Sequence, residues 1–500
     1  MAVFLLLLAC FNFTNTSIAI SGRRLKEIGL RKTMGGLRGQ LIFQFLSESV
    51  ILCFFALVVG LIVAEFLVPM YNNMWPGINL TLSYSENIFF FGFLTALLIL
   101  SALIAGTYPA FYVTSFKPAS ILKGKLTFGG TNWFTRTLLT LQFIISLLCI
   151  ISSVAYIRNA SYQRDFDLGY SKDGIIVANL NGEVEFNAFR NALAMNKDVL
   201  AIAGSKDHVS DKYYRQPVKH GNIEHQVEIV DIGDDYLKAM NITLLDGRDF
   251  IKDSENDRKE SVIVSETFVK QFGLEGNAVG KRLLLADSLQ LFIIGVVPDI
   301  LTDGFWKPAA PVMLRYIAPA QYTQIVVSTS PANLLSVNDF MVETWKKISP
   351  NTLYNGKHVD SNLYVAQLIN SNAVRICIFL GVIAALMSAT ALLALVSLNI
   401  LKRRKELGVR KVLGASIANI MRVINMEFML ILSIASILGS AAGYFLTDKG
   451  MDAIWEHYLP INIVTLAICV GFIAAIAVIT VGYKTLSTAR TNPVESLREE

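Results

Sequence analysis

Seven apolar stretches are the feature that most restricts what this chain of 500 residues can fold into. Each is close to the length of about 20 residues that an α-helix needs to cross the hydrocarbon core of a bilayer. They cover residues 2–20, 40–67, 88–113, 137–157, 373–400, 423–447 and 462–483. Charged residues make up only 17% of the chain, whereas roughly a quarter of a soluble globular chain is charged. The sequence therefore predicts an α-helical polytopic membrane protein with about seven transmembrane helices.

The first of these stretches is the least certain membrane helix, because polar residues crowd its second half, namely Asn12, Thr14, Asn15 and Thr16. A cleaved signal peptide is the alternative, which requires a basic region before the apolar run and small residues after it. Here the basic residues follow the run instead, and this order favours a membrane helix.

The distribution of Lys and Arg between the loops predicts the orientation in the membrane. Twenty of these residues lie in segments 22–38, 114–136 and 402–422 and in the tail from Lys484, whereas segments 68–87 and 448–461 together contain only Lys449. Short cytoplasmic loops carry the excess of positive charge, so the first group is predicted to face the cytoplasm. The N-terminus and residues 158–372 are then expected outside.

Residues 158–372 form the only polar region that is large enough for a domain. Runs typical of β-strands alternate there with turn signals such as Asp246-Gly247 and Gly276-Asn277, which predicts an α+β domain. The predicted strands are 174–180, 226–232, 261–265 and 291–297, and the predicted helices are 265–272 and 337–348. No disulfide framework or metal site is expected, since all five cysteines lie in apolar runs and the five histidines lack ligand spacing.

A charged motif occurs twice in the chain, at residues 23–35 and again 379 residues later at 402–414. The repeated residues are Arg24, Lys26, Glu27, Gly29, Arg31, Lys32 and Gly35 in the first copy, and Arg403, Lys405, Glu406, Gly408, Arg410, Lys411 and Gly414 in the second. The same register pairs Glu48 with Glu427 in the apolar stretches that follow. The chain therefore contains an internal repeat.

Each copy of the motif predicts a short charged helix between two membrane helices. Glu27 precedes Arg31 by four residues, the favourable direction for an ion pair on a helix, and Gly35 can end that helix. Such an element can dock into a cleft of a soluble partner and carry its movement into the membrane helices. Positive charge that only fixes topology and binds anionic lipid is the alternative, but it leaves the repeated Glu and Gly unexplained.

Glu48 and Glu427 lie about three turns into their apolar helices, at the same place in both copies. An ionisable residue near the centre of the bilayer costs about 2.5–3.5 kcal/mol, which would indicate a functional role. The alternative, which we favour, places both near the cytoplasmic interface, bonded to a nearby serine or a neighbouring helix.

No catalytic residues and no nucleotide-binding site are predicted in the chain, and no nucleic-acid partner is expected. Segment 276–282 superficially resembles a phosphate-binding loop, but its glycine spacing is wrong and Arg282 stands where Ser or Thr would bind Mg²⁺.

The repeated motif resembles the signature of FtsX/MacB-type ABC permeases, as does the ending 492–498, which is echoed at 117–123. The outer region is similar to the MacB-type periplasmic domain through segments 246–250, 262–268, 272–273, 279–281 and 292–296. The resemblance implies one complete unit at 136–500. Residues 1–135 then correspond to another unit without its first helix and first periplasmic domain. We expect either a truncation at the N-terminus or a partner that supplies this part.

The resemblance also implies a division of the chain into domains. These are a partial first permease unit with three transmembrane helices (1–123), a cytoplasmic linker (124–135), a helix that opens the second unit (136–157), the extracytoplasmic MacB-like domain (158–372), and a second permease domain with three helices and a cytoplasmic tail (373–500).

The function that the resemblance implies is that of a membrane subunit in the bacterial inner membrane. Its two motifs would receive cytoplasmic ABC ATPase subunits, which bind ATP and Mg²⁺ while this chain binds no cofactor. Mechanotransmission to the outer domain would then act on a lipoprotein, a peptide or a hydrophobic drug, with a periplasmic adaptor as a further partner. The alternatives are an FtsX-like regulator that activates periplasmic cell-wall hydrolases without transport, and a truncated inactive remnant.

Overall fold

The computed structural model describes residues 2–21, 24–75, 77–82, 88–115, 133–209, 213–357, 361–412 and 417–489. The chain forms two compact units. The helical unit comprises Met1–Arg158, Asn372–Lys449 and Pro460–Glu500, and the outer unit comprises Asn159–Ser371 and Gly450–Leu459. Most of the predicted linker 124–135 and the tail from 490 onward lie outside the described residues.

The described residues before the sheet form five helices: α1 (Ala2–Ser21), α2 (Leu25–Thr33), α3 (Arg38–Asn72), α4 (Ile88–Thr114) and α5 (Trp133–Asp165). Two of the polar residues of α1 that weaken its prediction as a membrane helix bond to neighbouring helices. Asn12 donates a hydrogen bond to Thr390 Oγ1 (3.0 Å), and Thr14 donates one to the carbonyl of Ala105 (3.1 Å). Helix α1 is therefore packed within the helical unit.

The outer unit contains, in its described residues, β1 (Ile175–Asn179), β2 (Val199–Ser205), β3 (Tyr214–His220), β4 (Ile223–Ile232), β5 (Asp246–Gly247), β6 (Ser261–Ser265), β7 (Arg282–Leu285), β8 (Leu289–Val297), β9 (Val312–Tyr316) and β10 (Gln324–Thr329). Its helices are α6 (Glu183–Leu193), α7 (Tyr236–Ala239), α8 (Glu255–Glu260), α9 (Glu266–Gln271) and α10 (Leu334–Ile348). The four predicted strands are confirmed as β1, β4, β6 and β8, and the two predicted helices as α9 and α10.

The strands follow the order β1-β10-β2-β4-β3-β7-β8-β6-β9, with β5 on β8. Strand β9 also pairs in parallel with β4, so six of these strands, from β4 round to β9, close into a ring with its own apolar core. The other three strands, β1, β10 and β2, pack against α6 and α10 around a second core that includes Phe189 and Trp345. Two lobes thus build the outer unit, and the sheet passes from one to the other where Ser205 of β2 pairs with Ile232 of β4.

After α10, the described residues form three further helices: α11 (Ser361–Val412), α12 (Ile417–Asp452) and α13 (Ile463–Ala489). Among the described residues, six helices are long and apolar enough to cross a membrane, namely α3, α4, α5 and parts of α11, α12 and α13. The apolar part of α1, Val3–Ile18, is shorter than these six, so the described residues contain six such helices where the sequence predicts about seven. The predicted class, a helical polytopic protein with an α+β outer domain, is confirmed.

Helix α5 lies at the centre of the helical unit, and its polar side chains donate to backbone carbonyls of α11. Gln142 donates to the carbonyl of Met387 (3.1 Å), and Ser153 donates to that of Cys377 (2.7 Å). Interhelical bonds of this kind satisfy polar groups that have no water partner in a bilayer. Glycines of α12 also approach α5 closely, since a Cβ at Gly443 would lie 2.7 Å from Ile151 Cδ1.

The short segment Gly450–Leu459 packs with the outer unit, although it lies within the predicted permease domain 373–500. The backbone N–H of Glu456 donates to the carbonyl of Phe305 (3.1 Å). The rings of Trp455 and Trp306 stack with their centroids 6.3 Å apart. The loop between α12 and α13 thereby becomes part of the outer unit.

Candidate functional site

The first copy of the charged motif folds as predicted into a helix of its own, α2. The predicted ion pair is formed, with Arg31 Nη2 2.6 Å from Glu27 Oε1. Glu27 lies in the first turn, and Arg31 and Lys32 lie in the last, which complements the helix dipole at both ends. Charge placement therefore stabilises a helix that would be marginal alone at this length.

The glycines after α2 end the helix and turn the chain into α3. Gly35 has a φ of 94°, a left-handed conformation that favours glycine, and the N–H of Gly36 donates to the carbonyl of Arg31 (2.9 Å). A Cβ on Gly36 would lie 2.9 Å from that same oxygen. Both glycines are thus required by the backbone path between the two helices.

A network of charged and amide side chains joins α2 to α3. Arg24 Nη1 lies 2.8 Å from Glu48 Oε2. Gln44 of α3 connects the residues at the two ends of α2. Its Oε1 accepts a hydrogen bond from Arg31 (2.9 Å), and its Nε2 donates one to Glu48 Oε1 (3.1 Å), the partner of Arg24. Glu48 is therefore part of the attachment of α2, in agreement with the interpretation that it bonds a neighbouring helix.

A second attachment joins α2 to α4. Lys32 Nζ donates to the carbonyl of Thr114 (2.5 Å), the last residue of α4. The final carbonyls of a helix lack intrahelical partners and carry partial negative charge, so a cation is stabilised there. Burial lowers the pKa of the Lys32 ammonium, and the neighbouring Arg38 acts in the same direction. Helix α2 is therefore held by both helices of the α3–α4 hairpin.

The outward face of α2 combines apolar and charged side chains. Ile28 and Gly29 are buried, whereas Leu30 is 55% and Met34 80% exposed. Glu27 and Arg31 flank these apolar side chains and are about half exposed. The repeat does not predict Leu30, Met34, Gln44 and Thr114, because none of them recurs as an identical residue in the second copy. An apolar residue at both Leu30 and its counterpart Val409 is the signal that could have shown the first of them.

The second copy of the motif differs from the prediction of a separate short helix. Helix α11 runs without a break from Ser361 to Val412, so the motif continues the membrane helix directly. The sequence gives a physical reason, since Gly22, a weak helix former, corresponds to Leu401 in the second copy. Outside the described residues lie Gly414 and the side chains of Lys26, Arg403, Lys405, Glu406, Arg410, Lys411 and Glu427; Gly408 lies within α11.

No group of three or more His, Cys, Asp and Glu that could hold a metal ion occurs among the described residues. The segment that superficially resembles a phosphate loop is a turn between α9 and β7, where Gly276 (φ 73°) and Gly280 (φ 83°) are left-handed. Its glycines therefore serve the turn.

Two family models match the chain and together account for most of it. The FtsX-like permease C-terminal model matches residues 1–118 and again residues 378–493. The MacB-like periplasmic core domain model matches residues 137–339. The chain belongs to the FtsX/MacB-type ABC permeases. The repeated permease match coincides with the internal repeat that carries the two motifs, and the periplasmic match with the strands of the outer unit.

Curated relatives of this permease include two proteins named macrolide export ATP-binding/permease protein MacB. The one from Chromobacterium violaceum is 19% identical over 388 residues, covering 73% of this chain and 58% of the relative. The one from Hahella chejuensis is 22% identical over 395 residues, covering 74% and 59%. The permease thus spans less than two thirds of the length of these relatives.

Among solved structures, the periplasmic region of MacB from Actinobacillus actinomycetemcomitans aligns with 40% of this chain and 94% of its own, at 15% identity and a TM-score of 0.30. Membership of the family makes this chain a multi-pass membrane protein with a periplasmic-type domain and implies an ABC ATPase as a partner.

Proposed function

We propose that this chain is the membrane subunit of an ABC transporter in a bacterial inner membrane, and that α2 and the second motif receive a separate cytoplasmic ATPase. ATP and Mg²⁺ bind to that ATPase, and its movement reaches the outer domain through the membrane helices. The outer domain then acts on a lipoprotein, a peptide or a hydrophobic drug that is already outside.

The observation that carries this proposal is the combination of an exposed face and firm attachment in α2. Leu30 and Met34 give the outward face an apolar centre, and Glu27 and Arg31 give it charges at the rim. Interfaces between subunits commonly have such an apolar centre with a polar rim. The bonds from Arg24 and Lys32 to α3 and α4 are the route by which pressure on α2 would move two membrane helices.

Mechanotransmission, rather than simple anchoring to lipid, is supported by the repeated glutamates. Lipid headgroups select positive charge, whereas Glu27 and Glu406 recur in both copies. An exposed carboxylate at a protein interface contributes chiefly through charge complementarity with the partner. A partner with basic groups opposite Glu27 and Glu406 is therefore expected.

The test is co-purification of the tagged permease from its native membrane, in gentle detergent, with mass spectrometry of retained proteins. We expect a soluble ATPase subunit with the unmodified chain. The double variant Glu27→Lys with Glu406→Lys should lose at least about 90% of the retained ATPase, because lysine places like charges opposite the basic groups of the partner. A tenfold loss of affinity corresponds to about 1.4 kcal/mol. The matched control is Glu183→Lys, an exposed glutamate on the outer unit, which should retain it fully.

Membrane insertion is measured in parallel, by protease accessibility of the outer domain in spheroplasts. Correct insertion together with undiminished ATPase recovery in the double variant would contradict the proposed contact. Correct insertion of the unmodified chain without any ATPase would contradict the proposed function itself and would favour the inactive remnant.

A further inference from the structure

A cleft of about 600 Å³ opens on the outer unit, beside the residue pair at which the sheet passes between its two lobes. Binding sites for small ligands commonly enclose 300–1,000 Å³, so the cleft is large enough for a small molecule or a short peptide. Six charged side chains line it, of which Lys206, Arg258, Lys259 and Arg315 are basic and Asp231 and Glu255 are acidic. The lining therefore has an excess of two positive charges.

The two acidic side chains already have their own cationic partners. Asp231 is nearly buried and accepts hydrogen bonds from Lys206 (3.4 Å) and from Tyr214 (3.2 Å). Glu255 pairs with Lys259 one helical turn away on α8, at 3.0 Å. Both lysines of the lining are therefore paired with its two acidic side chains. The positive excess of the lining is consequently located on the two arginines, of which Arg258 has a carboxylate partner outside the lining, Asp253.

Arg258 is held rigidly but is only partly satisfied. Its guanidinium lies over the ring of Tyr316, 5.3 Å from the centroid, and Nη2 lies 3.1 Å from Asp253. Its buried Nε has no hydrogen-bond acceptor within the described part of the chain. A guanidinium presents five N–H donors in a planar fork, and the bond to Asp253 uses one of the four on the two Nη atoms. This arginine therefore retains Nη donors for a ligand.

Arg315 has a neutral partner in place of an acid. Its Nη1 donates to Tyr214 Oη (3.0 Å), and none of the carboxylates that the structure describes forms an ion pair with it. Burial raises the pKa of the Tyr214 hydroxyl to about 12, so this phenol stays protonated and carries no compensating charge. Burial likewise raises the pKa of Tyr316 to about 12. Neither tyrosine neutralises the arginine beside it.

We propose that this cleft binds a short acidic peptide segment, with one carboxylate held between Arg258 and Arg315. A carboxylate matches the planar fork of a guanidinium in bidentate geometry. A single negative charge suits the cleft better than a dianion, because Asp253 already offsets the charge of Arg258 and one net positive charge then remains. The site lies wholly in the outer unit, so it goes beyond the proposed coupling to an ATPase and does not depend on it.

The experiment uses the full chain in lipid nanodiscs and isothermal titration with two peptides. Acetyl-Ala-Glu-Ala-amide should bind, and acetyl-Ala-Gln-Ala-amide should bind at least about tenfold more weakly, since it lacks the charge. Arg315→Gln should weaken binding of the glutamate peptide about tenfold or more. Arg315→Lys keeps the charge but loses the bidentate fork, and an intermediate loss is expected.

The matched control is Lys270→Gln, which removes an exposed positive charge on α9, away from the cleft lining, and should leave binding within about twofold. Thermal unfolding of each variant shows whether the outer unit is intact, and the comparison of the two peptides on the unmodified chain needs no variant. Equal binding of both peptides, no binding of either, or unchanged binding by Arg315→Gln would overturn the proposal. Displacement of the glutamate peptide by an equal concentration of inorganic phosphate would overturn it in favour of a phosphate site.

Discussion

The two copies of the charged motif share seven of thirteen residues but are connected to the membrane helices in different ways. In the first copy, α1 ends at Ser21 and α2 starts anew at Leu25, and side chains such as Arg24 and Lys32 bond it to the α3–α4 hairpin. In the second, α11 carries the motif as an unbroken extension of a membrane helix. The same pressure from a partner would therefore act on the first copy as a separate docked helix. In the second copy it would act on the end of the membrane helix α11 itself.

The residues that recur in both copies and those that differ have two different roles. The ion-pair partners Arg24 and Glu48 recur as Arg403 and Glu427, whereas Gln44, which bonds both ends of the network, corresponds to Val423. A separate helix needs additional side-chain attachment, but a helix continuous with a membrane span does not. We therefore expect the second copy to form the Arg403–Glu427 pair without an amide between the ends.

The largest effect should come from interrupting α11 between its membrane span and the second motif. Leu401→Pro places a proline inside α11 between span and motif, where it removes a backbone hydrogen bond and costs about 3 kcal/mol or more. We expect the co-purified complex to lose most of its ATP hydrolysis while the chain still inserts. Leu401→Ala, which preserves the helix, serves as the control. Unimpaired hydrolysis with Leu401→Pro would mean that α11 does not transmit movement between the second motif and the membrane span.

The next effect should come from the ion pair between Arg24 and Glu48. Both side chains are more than a third exposed, so the pair adds at most about 1 kcal/mol to stability, but it fixes the position of α2. Glu48→Arg brings two cations together and should lower ATP hydrolysis about tenfold. Adding Arg24→Glu should restore most of the activity by reversing the pair. Failure of this rescue would show that Glu48 acts by another contact.

The same exchange at Arg403 and Glu427 examines whether the second copy repeats the pair. Glu427→Arg should lower ATP hydrolysis less than Glu48→Arg does, since the continuous helix α11 keeps the second motif in place. Combination with Arg403→Glu should again restore activity. An equal or larger loss for Glu427→Arg would contradict the difference in attachment between the copies.

The membrane helices, the outer domain and the ion pair of α2 could be predicted because each leaves a local sequence pattern. Length and hydropathy identify a span, and a four-residue spacing identifies the Glu27–Arg31 pair. The Lys32–Thr114 bond joins residues 82 positions apart, and no local pattern indicates such a contact. The continuity of α11 is not predicted either. The similarity between the copies predicts a separate short helix in both, although Gly22 in the first corresponds to Leu401 in the second.

A smaller effect is expected from the apolar centre of the outward face. Leu30→Asp adds a charge to a site that is 55% exposed, so folding should change by no more than about 0.5 kcal/mol. Docking should weaken several-fold, because a buried charge would lack a partner in the interface. The corresponding change Val409→Asp should have a similar effect if both copies dock alike. Retention of the ATPase during co-purification at rising salt gives the measurement.

The smallest effect should come from Gln44→Val, which gives the first copy the residue of the second. Arg31 keeps its pair with Glu27, and Arg24 keeps its pair with Glu48, so the change removes only two hydrogen bonds at a partly exposed site. Such bonds contribute about 0.5–1.5 kcal/mol each when intact, and exposure reduces this, so ATP hydrolysis should fall about twofold. The reciprocal change Val423→Gln should leave hydrolysis unchanged, since α11 already fixes the second motif. A larger loss with Gln44→Val than with Glu48→Arg would mean that the amide, and not the ion pair, determines the position of α2.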